Sequence, residues 1–227
     1  MSATGERAQL FRGVGWALGA AAAAAHLVGE ARGLSGLALY AKPVPVLLLA
    51  VALARAPWSR ARAPLLAGLL ASAAGDFLIQ RPGGFLHGLA AFLVAHLFYV
   101  AGFWRLRREP LWLRALPVAA FGAAMAALLL SGLAAAGTAI RGAVLAYMVA
   151  ICVMLWRAAA LPGAPGLDPA VGRLALGGAI LFAASDSLIA VHRFVAPQAW
   201  ADVPIMLLYW AGQCGIALAG IRAARKV

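Results

Sequence analysis

The sequence predicts an all-α, polytopic membrane protein with eight transmembrane helices. Three observations carry this. Of the 227 residues, 65% are hydrophobic, with a mean hydropathy of +0.92. The apolar residues fall into runs of about 18 to 22, the length that crosses a bilayer core. The 17 Arg and 2 Lys interrupt those runs at their ends, with Lys42 the exception. Lipid gives the backbone no hydrogen-bond partners, so each span must be a helix.

Span 1 covers residues 11–29, an Ala-rich run behind Arg7 and Arg12. It imitates a secretory leader, but its length and the charge alternation that follows favour a retained span. Span 2, residues 34–54, holds Lys42 beside Pro43 and Pro45, which predicts a distorted helix with carbonyls that lack donors. Span 3, residues 62–80, contains Asp76. The turn Arg81-Pro82-Gly83-Gly84 leads into span 4, residues 84–104, with His96 and Tyr99. Spans 5 and 6 occupy residues 111–131 and 140–157 and carry few polar groups. A Pro/Gly-rich linker at about 158–170 precedes span 7, residues 171–191, with Asp186, and span 8, residues 202–222, with Tyr209 and Gln213. Connections this short leave one transmembrane domain over 1–227, with candidate halves 1–110 and 111–227, and place any chemistry in or at the bilayer.

The net charge of +12 does not describe a nucleic-acid face, because the cations sit at span ends rather than on one surface. Fourteen of them fall on one side of the eight-span arrangement and four, Arg32, Arg81, Arg141 and Arg193, on the other. By the positive-inside bias both termini are expected in the cytoplasm. Cys152 and Cys214 lie within spans and are expected to be unpaired packing residues.

Asp76 and Asp186 are two of only seven acidic residues and sit in similar words, Ala-Ala-Gly-Asp-Phe-Leu-Ile and Ala-Ala-Ser-Asp-Ser-Leu-Ile. A carboxylate within a span is costly enough to be a functional candidate. The same 110-residue offset maps Leu97–Gly102 onto Leu207–Gly212, which suggests a duplication of four spans in parallel orientation. At 1.5 Å per residue each Asp lies roughly 21 Å along its helix, in the outer third of the membrane. Lys42 and His26 share that half, while Tyr99, Tyr209 and Gln213 lie nearer the midplane. Helical spacing puts Ser72 one turn from Asp76, His96 with Tyr99, Tyr209 with Gln213, and Arg193 two turns above Asp186. Gathered together, these stripes would line a polar cavity in the outer half of the bilayer. A plainer reading makes the Asp residues helix glue, for example in an ion pair with Lys42. His87 and His96 face opposite sides of one helix and no HxxxH spacing occurs, which argues against a metal site. Ala73 stands where an intramembrane aspartyl protease would carry Gly.

Lys42-Pro43-Val44-Pro45, Gly75-Asp76, the Phe92–Tyr99 segment, Ser185-Asp186-Ser187-Leu188-Ile189-Ala190 with Arg193-Phe194, and Tyr209-Trp210-Ala211-Gly212-Gln213 occur in an order that resembles the YhhN, or lysoplasmalogenase-like, membrane family. The resemblance implies an eight-span enzyme without a cofactor. Its partner is a lysophospholipid substrate, a lysoplasmalogen or related lyso-ether lipid, whose vinyl ether is cleaved to a fatty aldehyde and a glycerophospho head group.

Vinyl ether hydrolysis starts with protonation of the β-carbon and continues with capture of the oxocarbenium ion by water. It needs an acid that keeps its proton near neutrality, which a solvated Asp with a pKa near 3.9 does not do. Removal from water and a second carboxylate nearby separate two such groups into acid and base. Asp76 and Asp186 are therefore the expected catalytic pair, with Lys42, Tyr99, His96, Arg193, Tyr209 and Gln213 as substrate-binding candidates. The same residues also fit a proton-coupled transporter or a lipid-binding protein, in which the Asp residues relay protons.

Overall fold

The computed structural model describes residues 3–226, with side chains over 13–225. It is helical throughout its ordered elements, and eight helical segments are long and apolar enough to cross a membrane. The helices are α1 (Ala3–Arg32), α2 (Ser35–Ala41), α3 (Val44–Ala54), α4 (Arg62–Ile79), α5 (Phe85–Leu106), α6 (Ala115–Ala135), α7 (Thr138–Ala159), α8 (Pro169–Phe194) and α9 (Asp202–Ala223). Each agrees with an expected span except that span 2 is two helices, α2 and α3.

Pro43 causes that break. It has no N–H for the carbonyl one turn back, and Pro45 removes a second donor two residues later. The chain restarts at once, with Leu47 N donating to Pro43 O at 3.0 Å, so Lys42 sits at the joint. On the other side of the joint, His26 of α1 donates from Nδ1 to Ala38 O at 2.9 Å. His26 thus serves the backbone of span 2.

Packing runs in the same order in both groups of four spans. The α2/α3 span packs on α1 and α4, and α4 on α5; correspondingly, α7 packs on α6 and α8, and α8 on α9. The groups join where α5 meets α7 and where α9 meets α3 and α4. α1 and α6 lie at the periphery, mostly exposed. Without a hydrophobic force between helices in lipid, small residues let backbones approach and gain dispersion contacts. α8 and α9 make such a seam: a Cβ on Gly178 would lie 2.7 Å from Gly212 O, and one on Gly212 would lie 2.8 Å from Phe182 N. On α4, Gly75 makes room for the Phe92 ring of α5 in the same way. α8 starts on Asp168, whose carboxylate accepts from Ala170 N at 2.9 Å, with Pro169 as first helical residue.

On the Arg-rich side, arginines pin a loop to α7. Arg157 of α7 is fully buried, its guanidinium 4.1 Å from the Trp104 ring centroid. It donates to the carbonyls of Arg107, Glu109 and Pro110 in the loop between α5 and α6. Arg114 ties the same loop to the end of α7 through Ala159 O at 2.6 Å and Pro162 O at 2.9 Å. Arg157→Met keeps the volume and strands those loop carbonyls. The expected cost is about 3 kcal/mol, read as a lowered thermal midpoint in detergent.

Candidate active site

Asp76 and Asp186 line one cavity of about 80 Å³, bounded by the α2/α3 joint and by α4, α5, α7, α8 and α9. Its polar lining is Lys42, Asp76, Tyr147, Ser185, Asp186 and Tyr209, and the rest is apolar, including Phe85, Leu89, Phe92, Ile189, Phe194 and Met206. The lining runs up to Ile79, Phe85 and Phe194, at the helix ends of the Arg-poor side, which fits the expected depth of the two carboxylates.

Each carboxylate is held by a tyrosine from another helix. Tyr209 of α9 donates to Asp76 Oδ2 at 2.7 Å, and Tyr147 of α7 donates to Asp186 Oδ2 at 2.9 Å. Their settings otherwise differ. Asp76 is fully buried, and its Oδ1 has no hydrogen-bond partner. Lys42 lies on the same cavity and acts electrostatically on Asp76, yet makes no ion pair with a carboxylate among the described residues. The Lys42–Asp ion pair, the example given for a purely structural role, is not formed among the described residues. Asp186 has His96 Nε2 of α5 at 3.6 Å from its Oδ2.

Not all the expected residues reach the cavity. Lys42 and Tyr209 line it. Arg193 stands at its rim, with its guanidinium 3.8 Å above the Phe85 ring and near Phe194. His96 is fully buried behind Asp186, its ring edge-on to Tyr147 with centroids 5.0 Å apart. Tyr99 and Gln213 form a layer beneath: Tyr99 Oη donates to Gln213 Oε1 at 2.6 Å and lies 3.1 Å from Ser72 Oγ. Ser72 therefore partners Tyr99 and not Asp76, and His96 turns toward Asp186 and not toward Tyr99. That buried network joins α4, α5 and α9 across the groups.

Sequence reasoning missed Tyr147. It sits in span 6 with no motif around it, and only its being a lone hydroxyl at mid-span could have marked it. Among the described residues no group of three His, Cys, Asp or Glu is placed to hold a metal. Cys152 and Cys214 are free thiols, as expected.

The YhhN family model matches residues 37–220, which include every cavity-lining residue. The chain belongs to the YhhN family. Relatives carry the name lysoplasmalogenase. The chain is 38% identical to human lysoplasmalogenase TMEM86A over 164 residues, 70% of this chain and 66% of that protein. It is 35% identical to pig lysoplasmalogenase TMEM86B over 178 residues, 78% of this chain and 72% of that protein. The lysoplasmalogenase of Mycobacterium tuberculosis (strain CDC 1551 / Oshkosh) is 37% identical over 188 residues, 80% of this chain and 69% of that protein. The chain thus spans about two thirds of the length of these curated relatives. No solved structure matches this YhhN-family chain.

Proposed function

We propose that this chain is a lysoplasmalogenase, hydrolysing the vinyl ether of a lysoplasmalogen to a fatty aldehyde and glycerophospho-ethanolamine or -choline. The observation that carries the reading is one membrane cavity, lined by two tyrosine-held carboxylates and otherwise mostly apolar, in a chain of the family to which the curated lysoplasmalogenases are similar. About 80 Å³ holds the reacting vinyl ether and not a whole alkenyl chain, so the chain runs out toward lipid between the apolar residues at the mouth.

In this reading Asp76 and Asp186 act as an acid and base pair. One protonates the β-carbon, the other takes a proton from the attacking water, and negative charge steadies the oxocarbenium ion between them. Lys42 and Arg193, one within the cavity and one at its rim, are the cations for the substrate phosphate. Tyr209 orients Asp76, and Tyr99, Gln213 and His96 hold the wall from behind. Tyr209→Phe removes one hydrogen bond to a carboxylate and keeps the ring; kcat should fall about tenfold or more with the thermal midpoint little changed. In this reading the protein sits in a bacterial cytoplasmic membrane, and the positive-inside bias supports an inward Arg-rich side with both termini. The matching neighbour order of the two groups of spans supports reading 1–110 and 111–227 as duplicated halves.

The test is fatty aldehyde release from a defined lysoplasmalogen by detergent-purified protein. Release by the wild type and not by an equally folded Asp76→Asn variant is the expected result; no release by either removes this reading. The broken second span favours a competing one, transport, because discontinuous helices mark transporter substrate sites. Uptake of intact lipid into sealed vesicles without chemical change would establish it.

A further inference from the structure

Within the lysoplasmalogenase reading, on which this step rests, we infer that Asp186 is the acid of the pair, that His96 is the positioning residue that keeps a proton on it, and that Asp76 is the base.

The argument starts from the tautomer of His96. Its Nδ1 lies 2.7 Å from Phe92 O, an atom that only accepts, so Nδ1 carries hydrogen. In the neutral ring Nε2 is then a bare lone pair. That nitrogen is buried, has no hydrogen-bond partner, and faces Asp186 Oδ2 at 3.6 Å. A lone pair facing a carboxylate in a dry site is repulsive, and one proton between them turns the contact attractive. The ring has no alternative partner to turn to: it is packed against Phe182, centroids 4.7 Å apart, and edge-on to Tyr147. The remaining oxygen contact of Asp186 is the Tyr147 hydroxyl, which donates and would steady the carboxylate left after the proton departs.

Asp76 has the opposite setting. Tyr209 donates to it, Lys42 shares the cavity, and among the described residues no hydrogen-bond acceptor faces it that would call for a proton. These two neighbours favour its anion. The proton path then closes. Asp186 gives its proton to the β-carbon, whose double-bond electrons form the C–H bond, and the ether oxygen stabilises the cation. Water adds to that cation and passes a proton to Asp76. As the hemiacetal collapses, Asp76 returns this proton to the departing glycerol oxygen and the hemiacetal hydroxyl passes its own to Asp186. Both groups are restored and one water is consumed.

Azide separates the roles, because it captures an oxocarbenium ion as an α-azido ether but cannot protonate carbon. With lysoplasmalogen and added sodium azide, purified Asp76→Asn should form the α-azido ether, whereas Asp186→Asn should form neither that nor aldehyde. His96→Gln should lower kcat by about 100-fold or more with KM little changed, and azide should not restore it. A packing role alone would not produce that split. Azido ether from Asp186→Asn, or from neither Asn variant, overturns the assignment of acid and base; an unchanged kcat in His96→Gln overturns the part given to His96. Should His96→Gln not fold, the two Asn variants still decide which carboxylate is the acid. A wild type that releases no aldehyde sinks the lysoplasmalogenase reading itself, a result distinct from all of these.

Discussion

Asp76→Asn should abolish aldehyde release while leaving the protein folded. Asn has the same shape as Asp, and its side-chain oxygen can still accept from Tyr209, so the contact between α4 and α9 survives. The charge does not. Without it the cavity has no base for the attacking water and less negative potential beside the oxocarbenium ion, and the loss of kcat should be at least about 100-fold. The thermal midpoint should hold or rise, because a fully buried ionisable group has been replaced by a neutral one. Rates of aldehyde formation and unfolding curves on the same preparation check both halves. Retained turnover would end the carboxylate-pair mechanism, and a collapsed fold would make Asp76 a structural residue.

Gly212→Val should destroy the fold. A Cβ at this position would lie 2.8 Å from Phe182 N and 2.9 Å from Gly178 O, backbone atoms that cannot step aside. α8 and α9 would have to separate, and these helices carry Asp186 and Tyr209. The expected cost exceeds about 4 kcal/mol, seen as loss of monodisperse protein in detergent. Gly177→Ala is the control on the facing helix, α8, since a Cβ there meets nothing within 4 Å. It should be neutral or slightly stabilising.

Much of this molecule is written in one-dimensional patterns. Span number follows from apolar run length, the joint in span 2 from Pro43 and Pro45, and the candidate carboxylates from the cost of Asp in lipid. What could not be read is which helix stands next to which. Tyr147 and Asp186 are 39 residues apart and Tyr209 and Asp76 are 133 apart, with nothing in either local sequence naming its partner. The same limit explains His96 and Tyr99. They share a face of α5, but that face meets two surroundings, Asp186 and Tyr147 at one level and Ser72 and Gln213 one turn deeper. Spacing along a helix gives the stripe and not its neighbours.

The glycine seam between α8 and α9 has a mechanical consequence. Those two helices form one stiff plate, and α4 with α5 forms another, with one carboxylate on each. Tyr209 of the first plate grips Asp76 of the second, and His96 of the second plate faces Asp186 of the first. Any parting of the plates to admit a lipid from the side would undo both contacts in a single movement, leaving neither carboxylate armed. If the two carboxylates are the acid and base, chemistry would then await reclosure, admission and cleavage would fall at different moments of the cycle, and a reactive cation would not form while the wall stood open.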